Sequence, residues 1–468
     1  MKNLCVTFVL LLGACAAISP ESRMGNVGAP GAWAATREAK SGIDRHWVGK
    51  IGGAELRSLV DSAISNNPDM KAAAARVERA GAEAKIAGAG RLPSLGLGGD
   101  ANRSKQNFIG FPFGSGGGVP SNISQQFGVN LNAAWEIDVW GRAKAGQEAA
   151  IADAQARLYD YEAARVSLAG QVTKAWLALG ESNEQVSLAE QAVGATKALA
   201  DAVRQRFERA ITDDGGSAAQ VRLTEAEVAT RSATLAERKQ ERERVLRQLE
   251  ILLGKYPSGG LARSARLPDF PGATPSGLPS ELLLRRPDIL AAERELAAAG
   301  RRVKERKLAR FPSLKLTGST GTTTESIGDV LRSDFGVWSI GGSLTQPIFE
   351  GGSIVAGIDS ARATERENIA LLQKTVLGAF GEVEQSLTAE MFLSQREQAA
   401  KRAAELAKEA AERADDEFSA GTGDVLTLID ATQRKLDTAS QYVAIRRLRL
   451  ENRVDLHLAL GGDFKASK

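Results

Sequence analysis

The sequence predicts an α+β membrane fold in which pairs of β-strands alternate with helices too long for a globule. Three observations predict it: a segment repeated at a constant offset, a period-two apolar pattern after each copy, and two proline-free helical runs of nearly equal length.

The repeat comes first. Pro68-Asp69-Met70 through Arg91-Leu92-Pro93-Ser94-Leu95 matches Pro287-Asp288-Ile289 through Arg310-Phe311-Pro312-Ser313-Leu314 without a gap, at an offset of 219 residues. Each copy opens a helix, because proline suits the first turn and the aspartate beside it meets the positive end of the helix dipole. Each helix stops before Pro93 or Pro312.

Strands follow. Phe127, Val129, Leu131, Ala133, Trp135, Ile137 and Val139 alternate with Asn130, Asn132, Glu136 and Asp138, which predicts one apolar and one polar face. In the second half Leu314, Leu316 and Gly318 alternate with Lys315, Thr317 and Ser319, and Trp338, Ile340, Gly342 and Leu344 alternate with Ser339, Ser343 and Thr345. Strands of about ten residues suit a membrane barrel wall; a soluble sandwich is the competing reading of either pair. The connections Gln106–Gln125 and Glu325–Ser333, rich in Gly, Ser, Pro and Asn, read as exposed loops.

The helical runs are long. Arg142 to Ile211 covers 70 residues and Ser353 to Ser419 covers 67, so each extends ~100 Å at 1.5 Å per residue. The returning stretches, Ser217–Leu253 and Asp424–Ala459, reach only ~55 Å. The Pro68 and Pro287 helices, ~36 Å each, would nearly make up the difference if stacked end to end on them. Val425, Ile429, Thr432, Leu436, Ala439 and Val443 keep the spacing of a coiled-coil seam, and Val221, Val228, Leu235 and Leu249 share one heptad row interrupted by Arg242.

The N-terminus reads as a targeting segment. Lys2 precedes the apolar run Leu4–Leu12, too short for a bilayer span of ~20 residues, and Leu12-Gly13-Ala14-Cys15 closes it. The last four residues resemble a bacterial lipobox, which implies that Cys15 carries a covalent lipid. Ala16 follows it where an aspartate would favour the inner membrane. The only other cysteine, Cys5, lies inside the signal, so no mature thiol pair is expected for a disulfide or a metal. With 60 basic and 57 acidic residues the net charge is +3, which gives no basic field for nucleic acid. Two histidines, His46 and His457, and no phosphate loop or nucleophile elbow leave nothing for an enzyme. His457 reads as a packed or capping residue, and four methionines form no soft-metal cluster.

The expected division is a signal at 1–14, an anchor and N-terminal equatorial segment at 15–67, a first repeat at 68–256, an equatorial linker at 257–286, a second repeat at 287–460 and a tail at 461–468.

Pro275-Ser-Gly-Leu-Pro-Ser-Glu-Leu-Leu-Leu-Arg-Arg-Pro-Asp-Ile289 with Ala292-Glu293 resembles the signature of the outer-membrane efflux lipoproteins, the TolC/OprM (NodT-type) outer membrane factor family. Trp135-Glu-Ile-Asp-Val-Trp-Gly-Arg142 and Gln346-Pro-Ile-Phe-Glu-Gly-Gly352 resemble its two junctions between barrel and tunnel, which marks Trp140, Gly141, Pro347 and Gly351. Phe418-Ser-Ala-Gly-Thr-Gly-Asp-Val-Leu-Thr-Leu-Ile-Asp-Ala431 resembles its second tip hairpin.

The resemblance implies a homotrimer: a twelve-stranded β-barrel, four strands per chain, continued by an α-helical coiled-coil barrel. It further implies an anchor in outer-membrane lipid, a periplasmic adaptor protein and an inner-membrane pump, most simply of the proton-driven RND type, with no cofactor besides the lipid on Cys15. Closure agrees with physics, because two hairpins cannot close alone and a lipid-spanning sheet has no free edge. Asp430, with Asp424 and Thr427 beside it, matches the constricted tunnel mouth, while pairing of Asp430 with Arg434 on a solvated face is the plainer reading. At the first tip hairpin the chain departs from the family: Phe207-Glu-Arg is followed by Ala210 where glycine is usual, and Thr212-Asp-Asp-Gly-Gly-Ser217 holds extra residues. The expected function is passive conduction of drugs, solvents or other small molecules; type I protein secretion and a poreless periplasmic scaffold are the alternatives.

Overall fold

The computed structural model describes residues 30, 32–35, 47–109, 119–209, 217–261, 265–272 and 279–462. Cys15, His46 and the residues at 210–216 lie outside them. The helices are α1 (Trp47–Asn66), α2 (Pro68–Ala89), α3 (Arg142–Arg209), α4 (Ala218–Leu252), α5 (Pro279–Leu282), α6 (Pro287–Leu308), α7 (Ser353–Ser419) and α8 (Val425–Ala459). The strands are β1 (Ser94–Asn107), β2 (Ser121–Ile137), β3 (Ser313–Thr324) and β4 (Gly336–Thr345).

Both matched segments form 22-residue helices opening on proline, with Asp69 and Asp288 in the first turns. The long helices run to 68 and 67 residues, α3 and α7 respectively. Glycine punctuates them: Gly141 at φ 79° turns the chain into α3, and Gly351 and Gly352 at 60° and 86° turn it into α7. These angles are open to glycine and strained for other residues.

The short helices lie along the long ones as the length argument expects. α3 is flanked by α2 and α4 on one side and by α6 and α8 on the other, and α7 packs on α6 and α8. Ion pairs sew α3 to α6: Arg157 to Glu295 at 3.2 Å, Arg301 to Glu148 at 3.1 Å, and Arg302 to Asp153. The expected seam on α8 is packed, with Val425 and Val443 buried and the positions between them half-buried. Two larger cores sit around the middle of the helical layer. One gathers Trp47, Leu56, Trp176, Leu246 and Leu249, and the other Trp33, Leu282, Ile289, Val376 and Leu456. A small third core, Val203, Phe418, Val425 and Leu428, closes the far end.

The two hairpins join into one antiparallel sheet in the order β1-β2-β3-β4, because β2 also pairs with β3, Ile137 opposite Leu314. Two boundaries differ from expectation. β1 runs to Asn107 and β2 begins at Ser121, inside the stretch read as loop. There Asn122, Ser124 and Gln126 face one way and Ser121 and Gln125 the other, so side-chain polarity no longer alternates although the backbone ladder continues.

Candidate functional site

The register separates the two faces of the sheet. Leu95, Leu97, Val129, Leu131, Trp135, Leu316, Trp338, Ile340 and Leu344 all fall on one face, since Leu97 pairs with Leu131, Trp135 with Leu316, and Leu314 with Leu344. On the opposite face stand Asp100, Asn102, Asn130, Asn132, Lys315, Thr317, Ser319 and Ser339. The polar side is cross-linked, Asn130 donating to Asp100 at 2.8 Å and the hydroxyls of Ser319 and Ser339 lying 2.8 Å apart.

Among the described residues nothing covers the middle of the apolar face: Trp338 is 76 % and Ile340 84 % exposed. An apolar patch of this extent calls for lipid or protein against it. From Phe127 to Ile137 it runs ~34 Å along the strand, which a tilt of ~40° reduces to ~26 Å, close to the height of an outer-membrane barrel's apolar band. Above it on the same face come Arg103 and Lys105, a charged rim.

The predicted junction residues lie where strand passes to helix, Trp140 and Gly141 between β2 and α3, Pro347 and Gly351 between β4 and α7. Trp140 donates its indole N–H to the Pro312 carbonyl at 2.7 Å and stacks on Phe311 with ring centres 5.1 Å apart. Trp135 donates to the Arg91 carbonyl at 2.9 Å. Asp138 caps the start of α3, accepting from the Ala143 and Lys144 N–H groups at 3.0 and 2.7 Å. At the second junction the Gln346 amide donates to the Arg310 and Pro347 carbonyls, each at 3.0 Å. Strand thus passes to helix through side chains that bind the repeated Arg-x-Pro corners.

At the far end α7 turns into α8 through Gly421, at φ 81°, and Gly423, where a Cβ would lie 2.7 Å from the Phe418 nitrogen. The predicted mouth residues gather on this hairpin. Asp424 is the N-cap of α8, accepting from the Leu426 N–H at 3.1 Å. Thr427 is exposed, and the exposed Asp430 accepts from Arg434 at 2.9 Å, one turn on. Together with Asp437 they form a polar stripe turned away from the packed seam. Sequence reasoning missed Arg206, near the end of α3. Its guanidinium donates to the Phe418 carbonyl and sits 3.9 Å over the Phe418 ring, tying the two tips of the protomer.

Sequence reasoning also missed the packing of the linker segment 265–272. Phe270 lies under Arg449, at 3.7 Å, and under Arg453, at 4.6 Å. Arg446 donates to the Leu267 carbonyl at 3.3 Å and Arg453 to that of Gly272 at 3.2 Å. Gly180 on α3 lets the segment approach, because a Cβ there would lie 2.9 Å from Arg266 backbone. Burial pulls the Arg453 guanidinium below its ordinary pKa, and neighbouring Arg449 adds to this while Glu390 opposes it. His457 is buried and stacks on Trp47 at 5.4 Å, the packed role expected for it. Among the described residues no cluster of His, Cys, Asp and Glu could hold a metal, and no helix is long and apolar enough to cross a membrane.

Residues 59–255 and 278–462 match the family described as outer membrane efflux protein. The chain belongs to that family. It is 32 % identical over 476 residues to the pyoverdine export outer membrane protein OpmQ of Pseudomonas aeruginosa, covering 100 % of this chain and 98 % of that one. It is 30 % identical to outer membrane protein OprJ of the same organism, covering 97 % and 94 %. Among solved structures, the Campylobacter jejuni CmeC outer membrane channel superposes with a TM-score of 0.82 at 25 % identity, over 100 % of this chain and 95 % of that one. These relatives are transport channels and not enzymes.

Proposed function

We propose that this chain is the outer-membrane channel of a tripartite efflux system, passing small molecules from an inner-membrane pump and a periplasmic adaptor to the exterior. The observation that carries the proposal is the four-stranded sheet with one apolar face, one polar face and, among the described residues, no strand paired to either outer edge, set on helices that extend ~100 Å. Such a sheet is stable in lipid only when closed. Three copies give twelve strands, enough to enclose water with the polar face inward and the apolar face on lipid. The helices beneath continue the same ring, so the solute path runs from the tip of the α7–α8 hairpin to the cell surface.

Several parts of this reading rest on the sequence. Cys15 carries a lipid that anchors the chain without lining the pore, and the division into anchor, two repeats and equatorial linker stands as set out above. Asp430, Asp424 and Thr427 of three copies converge at the periplasmic mouth. The export of pyoverdine named for one relative supports a small organic solute, and an RND pump is the proposed partner.

The test is complementation. In cells lacking their own outer-membrane efflux channel but keeping pump and adaptor, expression of this chain should restore dye efflux. Correct insertion in the outer membrane without restored efflux, with each available pump and adaptor pair, would overturn the proposal.

A further inference from the structure

A groove of about 810 Å³ runs along α3 between α4 and α8, a volume within the ~300–1,000 Å³ that holds drug-sized ligands. Helix phase fixes the side of the layer on which it opens. Gly180 of α3 faces the linker segment, and Ala178 and Ser182, on the opposite side of the helix, line the groove. On α8, Arg446, Arg449 and Arg453 face the linker, while Arg447 and Glu451 line the groove. Glu451 stands two and three heptads from Asp437 and Asp430, so the groove opens on the side of α8 that carries the polar stripe of the mouth. In the channel proposed above, on which this inference rests, that side is the tunnel wall. Within the layer α3 has neighbours on both sides, so the groove lies one helix in from the flank and a second copy packed on that flank leaves it open.

Most of the charges inside have partners. Arg447 is bound by Glu181 and, at 2.6 Å, by Glu451. Arg244 grips Glu241 with bonds of 2.8 and 2.5 Å, and Lys174 reaches Asp455 at 2.5 Å. Two charges remain. Glu237 and Arg238, neighbours on α4, both line the groove and make no hydrogen bond or ion pair among the described residues. Their side chains leave the helix ~100° apart, so each presents its own charge. Gln240 and Gln248 also line the groove and add amides that make no hydrogen bond among the described residues.

One free cation beside one free anion selects by charge. A solute with one negative and one positive group satisfies both, whereas a singly charged solute meets one partner and one like charge, which is unfavourable. We propose that the groove holds zwitterionic organic solutes on the tunnel wall, the Arg238 guanidinium taking the anionic group and the Glu237 carboxylate the cationic one. Charge pairs open to water are weak, each changing affinity by about five-fold at most. The site therefore holds a solute briefly and releases it, as a conduit requires.

The test uses rhodamine B, a fluorescent dye with one carboxylate and one delocalised cation, beside its ethyl ester, which keeps only the cation. Fluorescence anisotropy with full-length trimers in lipid nanodiscs, corrected for empty nanodiscs, should show saturable binding of rhodamine B. Arg238→Ala and Glu237→Gln should each weaken it by about three- to five-fold, and the ester should bind the wild type more weakly than rhodamine B does. Absence of saturable rhodamine B binding to wild-type trimers overturns the site. So does binding that either variant leaves unchanged, or an ester that binds as tightly. Trimers that bind as expected but pass no ionic current in planar bilayers overturn instead the channel on whose wall the groove was placed.

Discussion

The side-chain amide of Asn67 donates to the Leu252 carbonyl at 3.0 Å while its oxygen accepts from the Asp69 N–H at 2.8 Å, so one residue joins the end of α4 to the start of α2. Gly254, at φ 67°, makes room: a Cβ there would lie 2.6 Å from the Asn66 carbonyl oxygen. In the second half Arg286, at the repeat-equivalent position, donates to the Ala459 carbonyl at 3.0 Å and grips Asp288 at 3.0 and 2.7 Å. Gly461, at φ 69°, stands where Gly254 does. Two different side chains thus splice each short helix onto a returning helix, and each composite column, of 22 and 35 helical residues, approaches the 68 and 67 of the long helices. Burial alone would lower the Arg286 pKa, but the Asp288 and Glu382 carboxylates outweigh it and hold the guanidinium above its ordinary value.

Removing the splice should cost stability without changing the fold. Asn67→Ala loses a helix cap and leaves the Leu252 carbonyl without its donor, a cost of about 2 kcal/mol. Asn67→Ser keeps a capping oxygen and should cost about half as much. Thermal unfolding of the detergent-solubilised protein reads both. Equal stability of Asn67→Ala and wild type would show that Asn67 does not hold the two helices together.

Much of this was legible in the sequence, and the rest for identifiable reasons was not. The offset of 219 residues marks Asn67 and Arg286 as equivalent, and Gly141, Gly351 and Gly421 mark the helix ends, because local backbone conformation demands glycine there. The joining of β2 to β3 was not legible, since Ile137 and Leu314 lie far apart in the chain and strand alternation says nothing about which strands pair. The Arg206–Phe418 tie and the stacking of Phe270 under Arg449 and Arg453 were hidden for the same reason. Alternation did reveal the faces of the sheet, because lipid and water impose opposite polarity on neighbouring residues.

Trp135 and Trp338 share the apolar face and are expected to touch lipid. In single-tryptophan variants reconstituted with brominated lipids, both should be quenched. Trp338, which is 76 % exposed against 37 % for Trp135, should be quenched more strongly. Absence of quenching at both positions would place the apolar face elsewhere than against the bilayer.

Cys15 should be the sole site of acylation. Metabolic labelling with palmitate is expected to mark the wild-type chain and to disappear in Cys15→Ser, while that variant still inserts through its barrel. Persistent label in the variant would contradict the anchor.

Three copies that enclose one water-filled path, narrowest at the α7–α8 tips, should conduct ions, which single-channel recording in planar bilayers reads. Wild-type trimers should give discrete, cation-preferring steps. Asp430→Ala should raise the conductance or lower the cation preference more than Arg434→Ala does, although the pair is joined at 2.9 Å within the protomer. Inserted trimers that pass no discrete current in the wild type or in either variant would rule out an enclosed path.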